Sequence, residues 1–397
     1  MPSADNRIYL DHAATTPMRQ VAIDAFVEHA HLLNPGGQYA SGRAARRVLE
    51  TARETVAQLL GCEPIEVIFC ASGTEADNLA MTGLARAGLA AGRDTIVSSG
   101  LEHPAVAKTV EDLTGRGMRS HALDVVGAVA DVAGFASSER DRDFATLRHT
   151  AVATLQWANN ETGAKQPVGE LIQLAADCGQ ATGITVPVHV DAVQAVGHEH
   201  VNFHQLGCTT LAASGHKFGG PRAMGLLLAR RSPAPQPVLL GGGQERGIRP
   251  GTVNVAGAAA LAAALTEARQ DIDAENQRLS ALRGRLIAAI QADIPDVVVH
   301  TPENALAGHV HVSIPGAEGD SLIMLLDMAG FEASTGSACA SGVNRASEVL
   351  LSMGVPTDIA RGAIRFTLGR TTCADDVEAL IRALPGIAAQ ARSAGMA

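Results

Sequence analysis

The chain has 397 residues, 46% of them hydrophobic, and a formal net charge of -10. That length holds one large core or two and favours two or three packing units. An acidic balance without a run of like charges argues against a nucleic-acid groove or an anionic membrane as main partner, and leaves a small or mixed-charge partner.

The first ten residues lack a basic stretch followed by an apolar one, so no secretory signal is read there and the cytoplasm is the expected location. The six cysteines, Cys62, Cys70, Cys178, Cys208, Cys339 and Cys373, form no CxxC pair. Such scatter suits a reducing compartment better than a disulfide framework or a zinc site.

In chain order, helical periodicity at 44–60 precedes a short apolar run at 67–70, and further runs follow at 95–98, 151–155, 186–190, 210–213 and 225–228. These runs read as buried strands, with another helical pattern at 170–178, and the alternation predicts a mostly parallel sheet covered on both faces. Residues 125–148, weakly periodic and rich in Asp, Arg, Ser and Gly, read as a surface excursion. A helical stretch over 256–292 interrupts the alternation. Its Ala-rich apolar part, 255–265, is well short of the roughly 18 residues a membrane span needs, so no membrane helix is expected. Beyond it, a strand at 308–314, a helix at 320–328 and a strand at 364–368 predict a second, smaller α+β unit.

Polar and titratable residues gather just after the expected strands: Ser72-Gly73-Thr74-Glu75, Glu102-His103-Pro104, Asn159-Asn160-Glu161-Thr162-Gly163, His189-Val190-Asp191-Ala192-Val193-Gln194 and Ser214-Gly215-His216-Lys217. In an open α/β sheet, ligands bind at that end. Small and hydroxyl residues opening a helix can offer N–H groups to a phosphate, although Ser and Thr are also ordinary N-caps. Asp191 closes an apolar strand and calls for a cation or a strong donor. An acid, a lysine, hydroxyls and a stackable imidazole together make the set a pyridoxal-phosphate site requires.

Other signals weigh less. His198, His200 and His204 lack a clear fourth ligand, and no metal is assigned. His309 and His311 share one strand face and are expected to pack at the domain seam. The glycines over 241–247 lack the preceding strand and following acid of a dinucleotide loop.

Over almost its whole length the chain resembles the cysteine desulfurases, pyridoxal-phosphate enzymes of fold type I. The resembling segments are YLDHAATTP (9–17), SGTEADNLA (72–80), ANNETG (158–163), HVDAVQA (189–195), SGHKFGGP (214–221), GGGQERGIRPGT (241–252), STGSACASG (334–342) and IRFTLGR (364–370). The resemblance implies an α/β fold-type I transferase. It has a large domain over 17–262 with a mostly parallel seven-stranded sheet, and a smaller α+β domain built from 1–16 with 263–397. By position, Lys217 carries pyridoxal 5'-phosphate and later moves the Cα proton, Asp191 keeps the ring nitrogen protonated, His103 stacks on the ring and Gln194 contacts its phenolic oxygen. Gly73, Thr74, Ser214 and His216 hold the phosphate, joined across a homodimer by Thr252 of the partner subunit. Asn160 and Arg365 bind the substrate carboxylate.

Cys339, in a run of small residues, is the implied nucleophile that takes sulfur from L-cysteine, leaving alanine and a persulfide. The residues between Ala340 and Gly354 resemble the group with an extended loop, which makes sulfur acceptors of iron-sulfur cluster assembly the expected partners. A selenocysteine lyase, a catalytically poor sulfur-transfer scaffold, and another lyase or aminotransferase on this fold are the rival readings. Gly36, Gly37 and Tyr39 replace the serines and histidine common in the family, and Val193 stands where threonine is common.

Overall fold

A computed structural model describes residues 7–336 and 346–395. Its centre is a seven-stranded sheet of β1 (Val67–Cys70), β2 (Thr95–Ser99), β3 (Arg119–Leu123), β4 (Thr150–Gln156), β5 (Val188–Asp191), β6 (Thr210–Ser214) and β7 (Gly225–Ala229). The strands lie in the order β1-β7-β6-β5-β4-β2-β3. β7 runs antiparallel to both its neighbours, and every other pair is parallel. All residues of β1, β2 and β4 to β7 are buried, which is why each of these strands shows as a short run with an apolar centre. The strand absent from the sequence reading is β3, Arg-Ser-His-Ala-Leu, at the sheet edge with little of it buried. Edge strands carry polar residues outward, and that hides them from a hydrophobic pattern.

Helices cover both faces. Gly73–Ala90 is capped by Ser72, whose Oγ accepts from the Glu75 N–H at 3.0 Å, and it buries Ala76, Leu79, Ala80 and Leu84. One apolar core includes Leu49, Leu155, Leu211 and Leu261. A second, built on Leu10, Leu286, Val310, Ile364 and Leu380, lies under an antiparallel sheet of Val298–Val299, His309–Ser313 and Ala363–Thr367. The helix Val255–Asp293 joins them: Leu261, Leu265 and Ala268 pack into the first core, Leu279, Leu286 and Ile290 into the second.

The segment expected as a surface excursion is instead packed structure. It forms a hairpin of Val125–Val126 with Val129–Ala130 and a helix, Val132–Asp141, and buries Phe135, Phe144 and Leu147 in the first core. Its apolar residues are too few for a visible period, yet the bulky Phe135, Phe144 and Leu147 are all buried. The N-terminal strand Ile8–Tyr9 pairs with Phe331–Glu332, and Asp11 bridges Thr367, which lays residues 11–16 along the seam between the cores.

Candidate active site

Because β1, β2, β4, β5 and β6 point the same way, the segments following them converge at one sheet end, as the strand-end rule requires. There a cavity of about 330 Å³ is lined by Gly73, Thr74, His103, Asn160, Asp191, Gln194, Ser214, His216, Lys217 and Arg365. Thr252 is exposed and does not line it. Cys339 lies outside the described residues, but Ser334 and Gly336, shortly before it, form part of the wall.

Lys217 sits on a short 3-10 turn, Gly215–Lys217, directly after β6. Its Nζ donates to the carbonyls of Ala13 at 2.5 Å and Ala14 at 3.1 Å. Burial, helped by the positive Arg365, pushes its amine down to about 8 against the pull of Asp191 and Asp11. Asp191 ends β5, and its Oδ1 accepts from the Val193 N–H at 2.9 Å. Burial raises its carboxyl, although His103 and Lys217 act the other way.

Two further acids crowd it. Burial and then Asp191 push Glu102 up to about 8, and burial raises Asp77 well above the carboxylate range. His189 Nε2 lies 3.1 Å from Asp77 Oδ1, and burial lowers this imidazole to about 3, so it adds no positive charge. Among the described residues no cation pairs with Asp191 or Glu102, and Glu102 Oε2 is buried without a partner. A buried acid cluster of this kind is costly until a positive group enters. The protonated ring nitrogen of pyridoxal phosphate is such a group.

The remaining walls suit the same cofactor. Gly73 and Thr74 open their helix on the cavity wall, where a helix N-terminus favours an anion, and a Cβ on Gly73 would come 2.6 Å from Val193 Cγ2, so the close approach needs glycine. His216 pairs through Nδ1 with Thr15 Oγ1 at 2.9 Å, and burial lowers it to about 4. His103 caps the helix Pro104–Gly115 by accepting the Ala105 N–H on Nδ1 at 3.1 Å. Burial, with Lys217, lowers its pKa despite Asp191, so it lines the cavity as a neutral ring.

Arg365 donates through Nη1 to the Asn160 carbonyl at 2.8 Å and through Nη2 to Asp11 Oδ1 at 2.7 Å. Among the described residues its buried Nε–H has no partner. A buried guanidinium with one donor unpaired marks a place for an acceptor such as a carboxylate.

The sequence reading assigned no role to Asp11, the Ala13 and Ala14 carbonyls, Asp77 or Glu102. Asp77 lies one helical turn after Thr74, and Glu102 precedes His103. Each was visible as a residue, but only folding brings it to the acid cluster.

The weaker motifs have structural duties. His198 contacts the Lys217 carbonyl at 3.1 Å, His200 Asp273 at 2.7 Å and His204 Glu66 at 2.6 Å, three separate partners. Within 241–247, the buried Glu245 clamps Arg53 at 2.7 and 3.0 Å and accepts the Phe69 N–H at 2.7 Å. His309 and His311 lie at the seam, with both rings buried and unpartnered among the described residues; Gly163 packs directly on His309.

The sheet order, the lysine after β6 and the acid ending β5 define a fold-type I pyridoxal-phosphate enzyme. The aminotransferase class-V model matches residues 8–380. An IscS-like cysteine desulfurase of Mycobacterium tuberculosis is 42% identical, over 98% of each chain. A cysteine desulfurase IscS of Clostridium botulinum is 35% identical over 98% of this chain and 96% of its own. A solved NifS-like protein superposes with a TM-score of 0.87 at 28% identity, over 97% of this chain and 100% of that one. The chain belongs to the aminotransferase class-V family and, within it, to the pyridoxal-phosphate-dependent cysteine desulfurases.

Proposed function

We propose that this protein is a sulfurtransferase that takes sulfur from L-cysteine onto Cys339, releases L-alanine, and passes the sulfur to acceptors such as iron-sulfur scaffold proteins. The observation that carries this reading is one cavity joining Lys217, the buried Asp191 and the half-satisfied Arg365, with Gly336 in its wall. Cys339 follows Gly336 by three residues, a reach of roughly 10 Å when extended. None of the five described cysteines lines that cavity. Burial pushes Cys62 and Cys208 up to about 12 and raises Cys70 and Cys178 as well, which leaves those thiols inert.

Bound pyridoxal phosphate supplies a ring that withdraws electrons from the substrate Cα. Asp191 would keep its ring nitrogen protonated, His103 would pack on the ring face, and Gln194, which donates to the Ala13 carbonyl at 2.9 Å, would contact the phenolic oxygen. Gly73, Thr74, Ser214 and His216 would hold the phosphate together with Thr252 of the partner subunit. Arg365 and Asn160 hold the substrate carboxylate. Lys217, held near neutrality, takes the Cα proton. The Cys339 thiolate then bonds to the substrate sulfur. The C–S electron pair stays with Cβ, which takes a proton, and Lys217 returns the Cα proton, leaving a Cys339 persulfide and alanine.

The protein is further read as a cytoplasmic homodimer with its large domain over 17–262 and its small domain over 1–16 and 263–397. Among the described residues no helix is long and apolar enough to cross a membrane. Absorbance of the purified protein, with alanine and sulfide assayed after adding L-cysteine, tests the activity. Wild type is expected to show a visible band that shifts with substrate and to release alanine. Cys339→Ala should keep the shift and make none, so full turnover by that variant overturns the assignment of Cys339.

A further inference from the structure

Glu161 has no place in the chemistry above, yet its buried carboxyl bonds Ser347, just after residues 337–345, and lies close to Gly336, just before them. On one side, its Oε2 accepts the Ser347 hydroxyl at 2.5 Å, and the same hydroxyl oxygen accepts the Leu350 N–H at 3.1 Å, capping the helix Glu348–Ser352. On the other side, a Cβ built on Gly336 would stand 3.1 Å from Glu161 Oε2 and 3.2 Å from His311 Nε2. Gly336 also has φ +86°, so its lack of a side chain serves both the turn and the close approach to the acid.

Glu161 is itself rigidly held. Its N–H and that of Thr162 both donate to Asn159 Oδ1 at 2.9 Å, while Asn159 Nδ2 donates to the Leu101 carbonyl at 3.1 Å. The preceding carbonyl, on Asn160, takes Arg365 Nη1. Ser334, two residues before Gly336, exchanges backbone hydrogen bonds with Arg365 at 2.6 and 3.2 Å. One large-domain turn therefore sets the substrate arginine and the two borders of the cysteine segment in a single frame.

We propose that Glu161, acting through its hydrogen bond to Ser347 and its closeness to Gly336, is a positioning residue that sets where Cys339 can reach while leaving cofactor and substrate binding to other groups. A buried acceptor that holds Ser347 fixes one border of the cysteine segment beside the other, Gly336, and a displacement near 1 Å at a reacting atom costs up to roughly a hundredfold in rate. The inference rests on the reading of Cys339 as the sulfur acceptor.

The experiment compares wild type, Glu161→Ala, Ser347→Ala and Ser347→Thr as holoenzymes. One arm measures the substrate-induced spectral shift and the single-turnover rate of alanine release. The other measures the rate at which iodoacetamide labels Cys339, identified by mass spectrometry. Glu161→Ala and Ser347→Ala are expected to keep the half-saturating L-cysteine concentration of the spectral shift within about twofold, and to lose roughly tenfold or more in the alanine step. Their Cys339 labelling rates should change together, and Ser347→Thr, which keeps the hydroxyl, should restore both readouts. Wild-type rates in both variants overturn the proposal, as does an equal loss of substrate binding and turnover. Wild type that makes no alanine sinks the desulfurase reading instead, and the labelling arm then decides the positioning role alone.

Discussion

Lys217 owes its readiness to react to its surroundings. An exposed lysine stays protonated near neutrality, whereas burial and Arg365 bring this amine down to about 8. Only the neutral amine captures an aldehyde, so covalent uptake of pyridoxal phosphate by apoprotein should speed up as pH rises through about 8 and level off above it. Removing the nearby positive charge in Arg365→Gln should move that midpoint upward, and Asp191→Asn, which removes a raising charge, should move it downward. The initial rate of appearance of the visible band across this pH range checks all three. A wild-type midpoint near the ordinary 10.5 would show that burial does not act on this amine. The identities and strand-end placement of Lys217, Asp191 and His103 were legible in the chain. The free Arg365 Nε and the crowding of Asp77, Glu102 and Asp191 were not, since each depends on residues distant in sequence meeting in a buried volume.

At the scale of elements, the strands buried on both faces were read to within a residue or two, because a continuous apolar run has one comfortable place in an α/β fold. The edge strand β3 and residues 125–148 escaped. The latter are held by polar detail: Asp131 caps the helix through the Gly134 N–H at 2.8 Å, and the fully buried Glu139 accepts the Thr146 and Leu147 N–H groups at 2.9 and 2.8 Å. Asp143 and Phe144 turn the chain with φ of 54° and 57°. Glu139→Ala leaves buried N–H groups unpaired and should cost about 2–5 kcal/mol. A lower urea midpoint and earlier proteolytic cleavage within 125–148 are the expected readouts. The spectral response to L-cysteine should be unchanged, since Glu139 does not line the cavity.

For the whole molecule, the loop that runs to Thr252 begins with two apolar residues facing outward, Leu239 at 47% and Leu240 at 91% exposure. A leucine so exposed on the loop leading to a residue expected to serve the partner's site fits a homodimer contact. On that reading wild type has the mass of two chains at micromolar concentration, and Leu240→Asp weakens self-association and pyridoxal-phosphate affinity in parallel. Sedimentation and titration of the visible band measure the two effects. A wild-type protein that sediments as a single chain and still holds cofactor tightly rules out a Thr252 contribution from a second subunit.

The order of chemically distinctive segments along the chain, each just past an apolar run, was enough to specify an α/β fold, a pyridoxal-phosphate site and the family, because strand ends in a parallel sheet are where side chains and helix N-termini converge. Tertiary structure alone decided which groups share charge and which close the frame. The depressed Lys217, the buried acid cluster around Asp191 and the hydrogen bond of Glu161 to Ser347 beside Gly336 arise from burial and from distances between residues far apart in sequence. Neither quantity is written in local pattern.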